Sequence, residues 1–126
     1  MEEGVTRPFA ADFERTLKAA ERALAAAGFR QAQDCPGPTA GDPLPPCAGP
    51  QVTRVDDRTS YVYGTKAAGT EGHRYWSGEH VRIVVARSGQ NQTTARVISK
   101  YREQSIVGRD GDYSGIILDA ISRGLR

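Results

Sequence analysis

Apolar side chains recur with helical spacing at both ends of the chain. Residues 9–27 place them at steps of three and four, so they form one stripe, while charged side chains occupy most of the remaining surface. The members of this stripe are Phe9, Phe13, Leu17, Ala20, Leu24 and Ala27. Pro8 is expected near the first helical position and Gly28 just beyond the last. Residues 112–125 carry a second stripe, with Asp112 as the N-terminal cap, so the pattern predicts two amphipathic helices.

The segment between these helices alternates between apolar and polar positions, which is typical of strands. Residues 51–67 predict two strands joined by a turn at a pair of aspartates, and residues 29–33 predict a weak first strand. Residues 80–87 and 93–102 are rich in valine, isoleucine and threonine and predict a hairpin. Two helices can bury their stripes on one face of such a sheet. We therefore expect a single α+β domain over residues 1–126, a two-layer sandwich in which both helices cover one face of an antiparallel sheet of roughly three to five strands.

Two segments are predicted to be loops. Residues 35–50 hold six of the chain's seven prolines, a density that excludes a regular helix or a central strand, so they predict an inserted loop. Residues 67–79 are rich in glycine and predict a second loop, which contains Tyr75 and Trp76. This aromatic pair is a candidate contact for a binding partner.

The composition is that of an ordinary globular domain. Of the 126 residues, 38% are hydrophobic and 25% charged, and the formal net charge of +2 is too small to demand a nucleic-acid or acidic-membrane partner. No apolar run approaches the roughly 20 residues that span a bilayer. The first residues are acidic and lack the apolar core of a signal peptide, an absence that fits a trimmed exported chain as well as a cytosolic one.

The two cysteines, Cys35 and Cys47, bracket the proline-rich loop. We expect a disulfide between them, which would close a short stiff loop, contribute about 3 kcal/mol in the chain-entropy model and persist only in an oxidising compartment. The alternatives are two free thiols or a metal site. A structural zinc site needs four ligands, usually in closely spaced pairs, and the two histidines, His73 and His80, lie in another region. The sequence therefore predicts no metal, and no motif implies a cofactor.

No catalytic motif stands out. The chain has no nucleophile elbow, no zinc-protease helix, no phosphate-binding loop and no dinucleotide fingerprint. His73 and His80 lie near Glu71 and Glu79, so acid–base chemistry at a loop histidine is one hypothesis. Solvated loop histidines are far more common, and we expect a protein that is not an enzyme.

A basic surface is the remaining candidate site. Arg82, Arg96 and Lys100 are expected to share the sheet face away from the helices, with Tyr61 or Tyr63 beside them. A cytosolic module that binds nucleic acid through this face is a second hypothesis. Sheets that bind nucleic acid usually carry aromatic stacking motifs, and none of that type is present, so a solvated outer face is favoured.

Three segments together resemble small, poorly characterised bacterial envelope lipoproteins. They are "FERTLKAAERALAAAGF" (13–29), the "VRIVV…TTARVIS" hairpin (81–99) and "ILDAISRGL" (117–125). The resemblance implies an exported, non-enzymatic accessory domain that binds a protein of the cell envelope. It also implies a lipid anchor, although the acylated cysteine of such proteins has no N-terminal counterpart here. The expected location is periplasmic or outer-membrane associated, with the cytoplasm as the alternative.

Overall fold

The computed structural model describes residues 4–29, 50–68, 75–101, 104–105 and 112–126. The elements in chain order are β1 (Val5–Phe9), α1 (Phe13–Ala26), β2 (Gln51–Arg54), β3 (Thr59–Ala68), β4 (Tyr75–Gly89), β5 (Gln92–Tyr101), β6 (Gln104–Ser105) and α2 (Ser114–Gly124). Five strands form one antiparallel sheet in the order β1-β5-β4-β3-β2, and the two-residue β6 pairs with β5. The predicted α+β fold with an antiparallel sheet is confirmed.

The hydrophobic core lies between the helices and one face of the sheet, which we call the inner face. Burial alternates over residues 80–86 of β4, so that Val81, Ile83 and Val85 are buried while Arg82 is exposed. The same alternation in β5 buries Ala95, Val97 and Ser99. The helices complete the core with Phe13, Leu17, Leu24, Ile117, Leu118 and Ile121. This alternation leaves the even-numbered positions of β4 and β5 on the opposite, outer face.

The N-terminal segment differs from the prediction. The stretch up to Phe9 forms β1, paired with β5, and α1 begins only at Phe13. Asp12 caps the helix, because its carboxylate accepts a hydrogen bond of 2.8 Å from the backbone N–H of Arg15. Pro8 therefore lies in a strand rather than in a helical turn. It is tolerated there because β1 is at the edge of the sheet, where a missing N–H donor removes no internal pairing.

The C-terminal ends of the helical predictions hold more closely. Gly28 has a φ of 93° and follows the end of α1, as expected. Its N–H donates to the carbonyl of Ala25, while the N–H of Phe29 donates to that of Leu24, at 3.0 and 3.2 Å. This pair of bonds is a Schellman motif. At the start of α2 the prediction that Asp112 is the N-cap is wrong, because the N-cap residue is Tyr113, which makes no side-chain capping bond. Asp112 precedes the cap, and its carboxylate accepts a hydrogen bond of 2.9 Å from the backbone N–H of Ser114.

The strands extend further than predicted. The segment 67–79 was expected to be a loop, but β3 runs to Ala68 and β4 starts at Tyr75, with Ala68 paired to Tyr75. Cross-strand pairing therefore overrides the local glycine content. The weak strand expected over 29–33 lies outside the described residues apart from Phe29, which is buried. The proline-rich loop with Cys35 and Cys47 also lies outside them, so their predicted disulfide stays a prediction.

Candidate binding site on the outer sheet face

The outer face of the sheet carries the three predicted basic residues. Arg82 is exposed on β4, and Arg96 and Lys100 are partly exposed on β5. The register pairs Arg96 with Val84 and Lys100 with His80, so all three cations lie on even-numbered positions that point away from the helices. In the described part of the chain, no helix or strand lies over this face.

The register brings residues of three strands into two adjacent rows on this face. In the first row Tyr63 of β3 pairs with Arg82 of β4, which pairs in turn with Ile98 of β5. In the second row His80 of β4 pairs with Lys100 of β5. Directly paired side chains are about 5 Å apart and diagonal ones are still within reach of long side chains. These five residues line one concavity of about 90 Å³.

A short hydrogen bond joins the two rows. The Tyr63 hydroxyl lies 2.6 Å from Nδ1 of His80, and the two rings are 6.0 Å apart with an interplanar angle of 33°. Burial raises the pKa of the Tyr63 phenol, although the nearby Arg82 charge lowers it in part. The phenol therefore keeps its proton at neutral pH. Two neutral tautomers of the imidazole fit this contact: the phenol donates to an unprotonated Nδ1, or Nδ1–H donates to the phenol oxygen.

Tyr61, the other outward-facing tyrosine of β3, contacts Arg82. The guanidinium carbon of Arg82 lies 5.5 Å from the centre of the Tyr61 ring, within the range of a cation–π contact. Tyr61 pairs with Val84 in the register, so its ring is one row away from Arg82 on the same face. The contact restricts the guanidinium plane without neutralising its charge. Both outer-face tyrosines are thus engaged with neighbouring polar side chains.

Carboxylates are absent from the described side chains of the outer face. At the outward register positions of β1, β3, β4 and β5, the described side chains are those of threonine, proline, tyrosine, histidine, arginine, valine, alanine, isoleucine, lysine and glutamine. The described ion pairs lie instead at the helical layer, where Arg7 reaches Asp119 and Arg54 reaches Glu14, both at 2.9 Å. The described charged side chains of the outer face are therefore the cations Arg82, Arg96 and Lys100.

The remaining predicted site residues were placed by the sequence in a loop, and those that the structure describes lie in β4 instead. Tyr75 and Trp76 belong to the start of β4, so the expectation of an aromatic loop is wrong for their backbone. His80 also lies in β4 rather than in a loop, and its partner is a phenol. His73 lies outside the described residues. The sequence predicts Tyr61 and Tyr63 only beside the basic residues. Strand alternation indicates the face on which a residue lies, but it does not indicate which residue lies next to it on the neighbouring strand.

Two further observations concern metal ligands and membrane spans in the described part of the chain. Among the described residues, no three histidine, cysteine, aspartate or glutamate side chains come together as metal ligands would. Neither helix that the structure describes has the length and apolar character needed to cross a membrane.

No protein-family model matches the chain, and no curated protein matches its sequence significantly.

Proposed function

We propose that the protein is a non-enzymatic binding domain that docks an acidic surface of a protein partner on its outer sheet face. The observation that carries this proposal is the cluster of Arg82, Arg96 and Lys100 on one face that no described element covers. Charge complementarity steers association and fixes orientation, so a partner surface rich in aspartate and glutamate is the matching chemistry.

The arrangement of the tyrosines favours a protein over a nucleic acid. Sheets that bind single strands present aromatic rings on which successive bases stack. Here one side of the Tyr61 ring is occupied by the Arg82 guanidinium, and Tyr63 is half-buried and bonded to His80. The face thus offers fixed positive charge and hydrogen-bond donors, with few ring surfaces left for stacking.

The compartment is proposed on separate grounds. The resemblance of residues 13–29, 81–99 and 117–125 to bacterial envelope lipoproteins supports a periplasmic or outer-membrane-associated location. A disulfide between Cys35 and Cys47 would fit the same oxidising compartment. A thiol assay on unreduced protein tests this point, and two reactive thiols would argue for the cytoplasm.

The binding proposal is tested with a labelled hexaglutamate peptide, acetylated and amidated at its ends, by fluorescence anisotropy at about 50 mM salt, where charge contacts are strong. Wild type is compared with the triple variant R82Q/R96Q/K100Q. The matched control is K18Q/R22Q/R123Q, which removes the same charge from exposed positions of the helices. Thermal unfolding of both variants confirms that they fold.

We expect the outer-face variant to lose affinity at least about tenfold, since three charge contacts are removed, and the helical variant to change it about twofold or less through net charge alone. Equal losses in both variants would contradict the proposal. A parallel titration with an oligothymidylate tests the nucleic-acid alternative. Binding to the oligonucleotide but not to hexaglutamate would replace the acidic protein partner with a nucleic acid.

A further inference from the structure

We propose that the concavity between β3, β4 and β5 is an anchor that receives one side-chain carboxylate, from a glutamate or aspartate of the partner. This inference rests on the proposed function and names the point of the outer face that contributes most to it. The concavity is lined by Tyr63, His80, Arg82, Ile98 and Lys100.

The size and lining of the concavity suit a small anion. Its volume of about 90 Å³ is small, which suits a group of the size of a carboxylate. Two of the lining residues, Arg82 and Lys100, have cationic side chains. Ile98 supplies an apolar wall, which lowers the local dielectric and strengthens charge–charge attraction across the site.

The arginine has a contact that favours one orientation of its side chain. Arg82 lies over the Tyr61 ring at 5.5 Å, and that contact limits the rotamers of an otherwise flexible side chain. A guanidinium binds a carboxylate through two parallel N–H bonds, which requires its plane to be oriented. Since less side-chain entropy is lost on binding, a held arginine binds more tightly than a mobile one.

The histidine is held as well. The hydrogen bond of 2.6 Å with Tyr63 fixes the His80 ring in the wall of the concavity. Nδ1 faces the phenol, so Nε2 is the other ring nitrogen of His80. The site thus places a guanidinium, an ammonium and an imidazole around one volume, supported by two tyrosines that act as positioning residues.

Arg96 is the natural control for this inference. It has the same side chain and lies on the same face, but it pairs with Val84 and does not line the concavity. If the face acts only through its overall charge, the loss of either arginine weakens binding equally. If the concavity is an anchor, the loss of Arg82 weakens binding much more.

The experiment is an NMR titration of the whole chain with hexaglutamate, following both the affinity and the ring-nitrogen shifts of His80. We expect R82Q to lower affinity about tenfold and R96Q about two- to threefold. The His80 ring signals should move on binding in wild type and in R96Q. The Y63F variant should alter the His80 signals before any peptide is added and lower affinity about threefold, because the ring loses its orienting bond.

The outcomes separate the two proposals. Equal losses for R82Q and R96Q, with His80 signals that do not move, would overturn the anchor and leave docking on the outer face intact. No binding by wild type, or binding unchanged in both variants, would overturn the docking proposal and the anchor with it.

Discussion

At the scale of single residues, Ser60 is an anomaly in a well-satisfied core. It lies on β3 opposite Val85 and is fully buried, yet its hydroxyl has no hydrogen-bond partner among the described residues. By contrast the buried hydroxyl of Thr93 donates to the carbonyl of Ala11 at 2.9 Å. A buried hydroxyl without a partner costs about 1–3 kcal/mol of desolvation.

We therefore expect S60A to leave the free energy of unfolding unchanged or to raise it by about 1 kcal/mol. The isosteric control T93V should lower it by about 1–3 kcal/mol, because the carbonyl of Ala11 then loses its donor. Urea unfolding monitored by circular dichroism measures both. A loss above about 1 kcal/mol in S60A would mean that the hydroxyl has a partner after all.

Tyr63 gives a second prediction at this scale, through its ionisation. Burial raises the pKa of its phenol above the ordinary value of about 10. Between the unfolded and the folded pKa, the unfolded chain has lost this proton and the folded chain has kept it. Tyr63 therefore contributes stability that is fully present below the unfolded pKa and is lost as pH rises through the folded pKa.

An alkaline absorbance titration of phenolate checks this sign. Wild type should contain one tyrosine that ionises at higher pH than an ordinary tyrosine, and the Y63F difference spectrum should identify it. If the ionisation removed by Y63F occurs at or below the ordinary pKa of tyrosine, burial does not raise the pKa of Tyr63.

At the scale of elements, the periodicity of apolar residues predicts the two helices and the β4–β5 hairpin. The start of α1 and the ends of β3 and β4 depend instead on pairing between strands. Phe9 continues the helical spacing of Phe13 and Leu17, so the apolar stripe predicts a helix that begins four residues before the start of α1. The competing interaction is the pairing of β1 with β5, which is distant in sequence and leaves no local signal. The extensions of β3 and β4 beyond the glycine-rich stretch have the same origin.

Two glycines, Gly28 just after the end of α1 and Gly115 within α2, test how backbone conformation affects stability. Gly28 ends α1 at a φ of 93°, where an alanine is strained, and Gly115 lies in the first turn of α2 with no atom within 4 Å of an added Cβ. We expect G28A to lower the free energy of unfolding by about 1–2 kcal/mol. G115A should raise it by up to about 1 kcal/mol.

Thermal or urea unfolding of G28A and G115A measures both effects. Because both variants replace glycine with alanine, any difference between them comes from the surrounding backbone and packing. A stabilising G28A would contradict the left-handed helix end, and a strongly destabilising G115A would mean that something packs against that turn of α2.

At the scale of the whole molecule, sequence alternation was enough to place Arg82, Arg96 and Lys100 on one face. It could not say that Tyr63 lies beside Arg82 or that the Tyr63 hydroxyl reaches His80, since strand order and register decide those contacts. The concavity is a product of that register. Its residues are between 2 and 37 positions apart in the chain, and no local motif announces them.

The placement of charge is also a property of the whole molecule. A formal net charge of +2 is modest, but the described carboxylates that form ion pairs do so at the helical layer, where Glu14 and Asp119 meet Arg54 and Arg7. The described part of the outer face carries cations, although the chain as a whole is nearly neutral. The formal net charge of the sequence therefore does not show how charge is distributed between the two sides of the sheet.

The most direct test of docking on the outer face is to find where a bound acidic peptide lies. Hexaglutamate activated as an amine-reactive ester should modify Lys100, on the outer face, in preference to Lys18, which is exposed on α1. A small neutral ester, which has no reason to dock, gives the intrinsic reactivity of the two amines. Peptide mapping by mass spectrometry reads out both reagents. We predict that the ratio of Lys100 to Lys18 modification is much higher with the acidic peptide than with the neutral ester. An equal ratio, or preferential modification of Lys18, would contradict it.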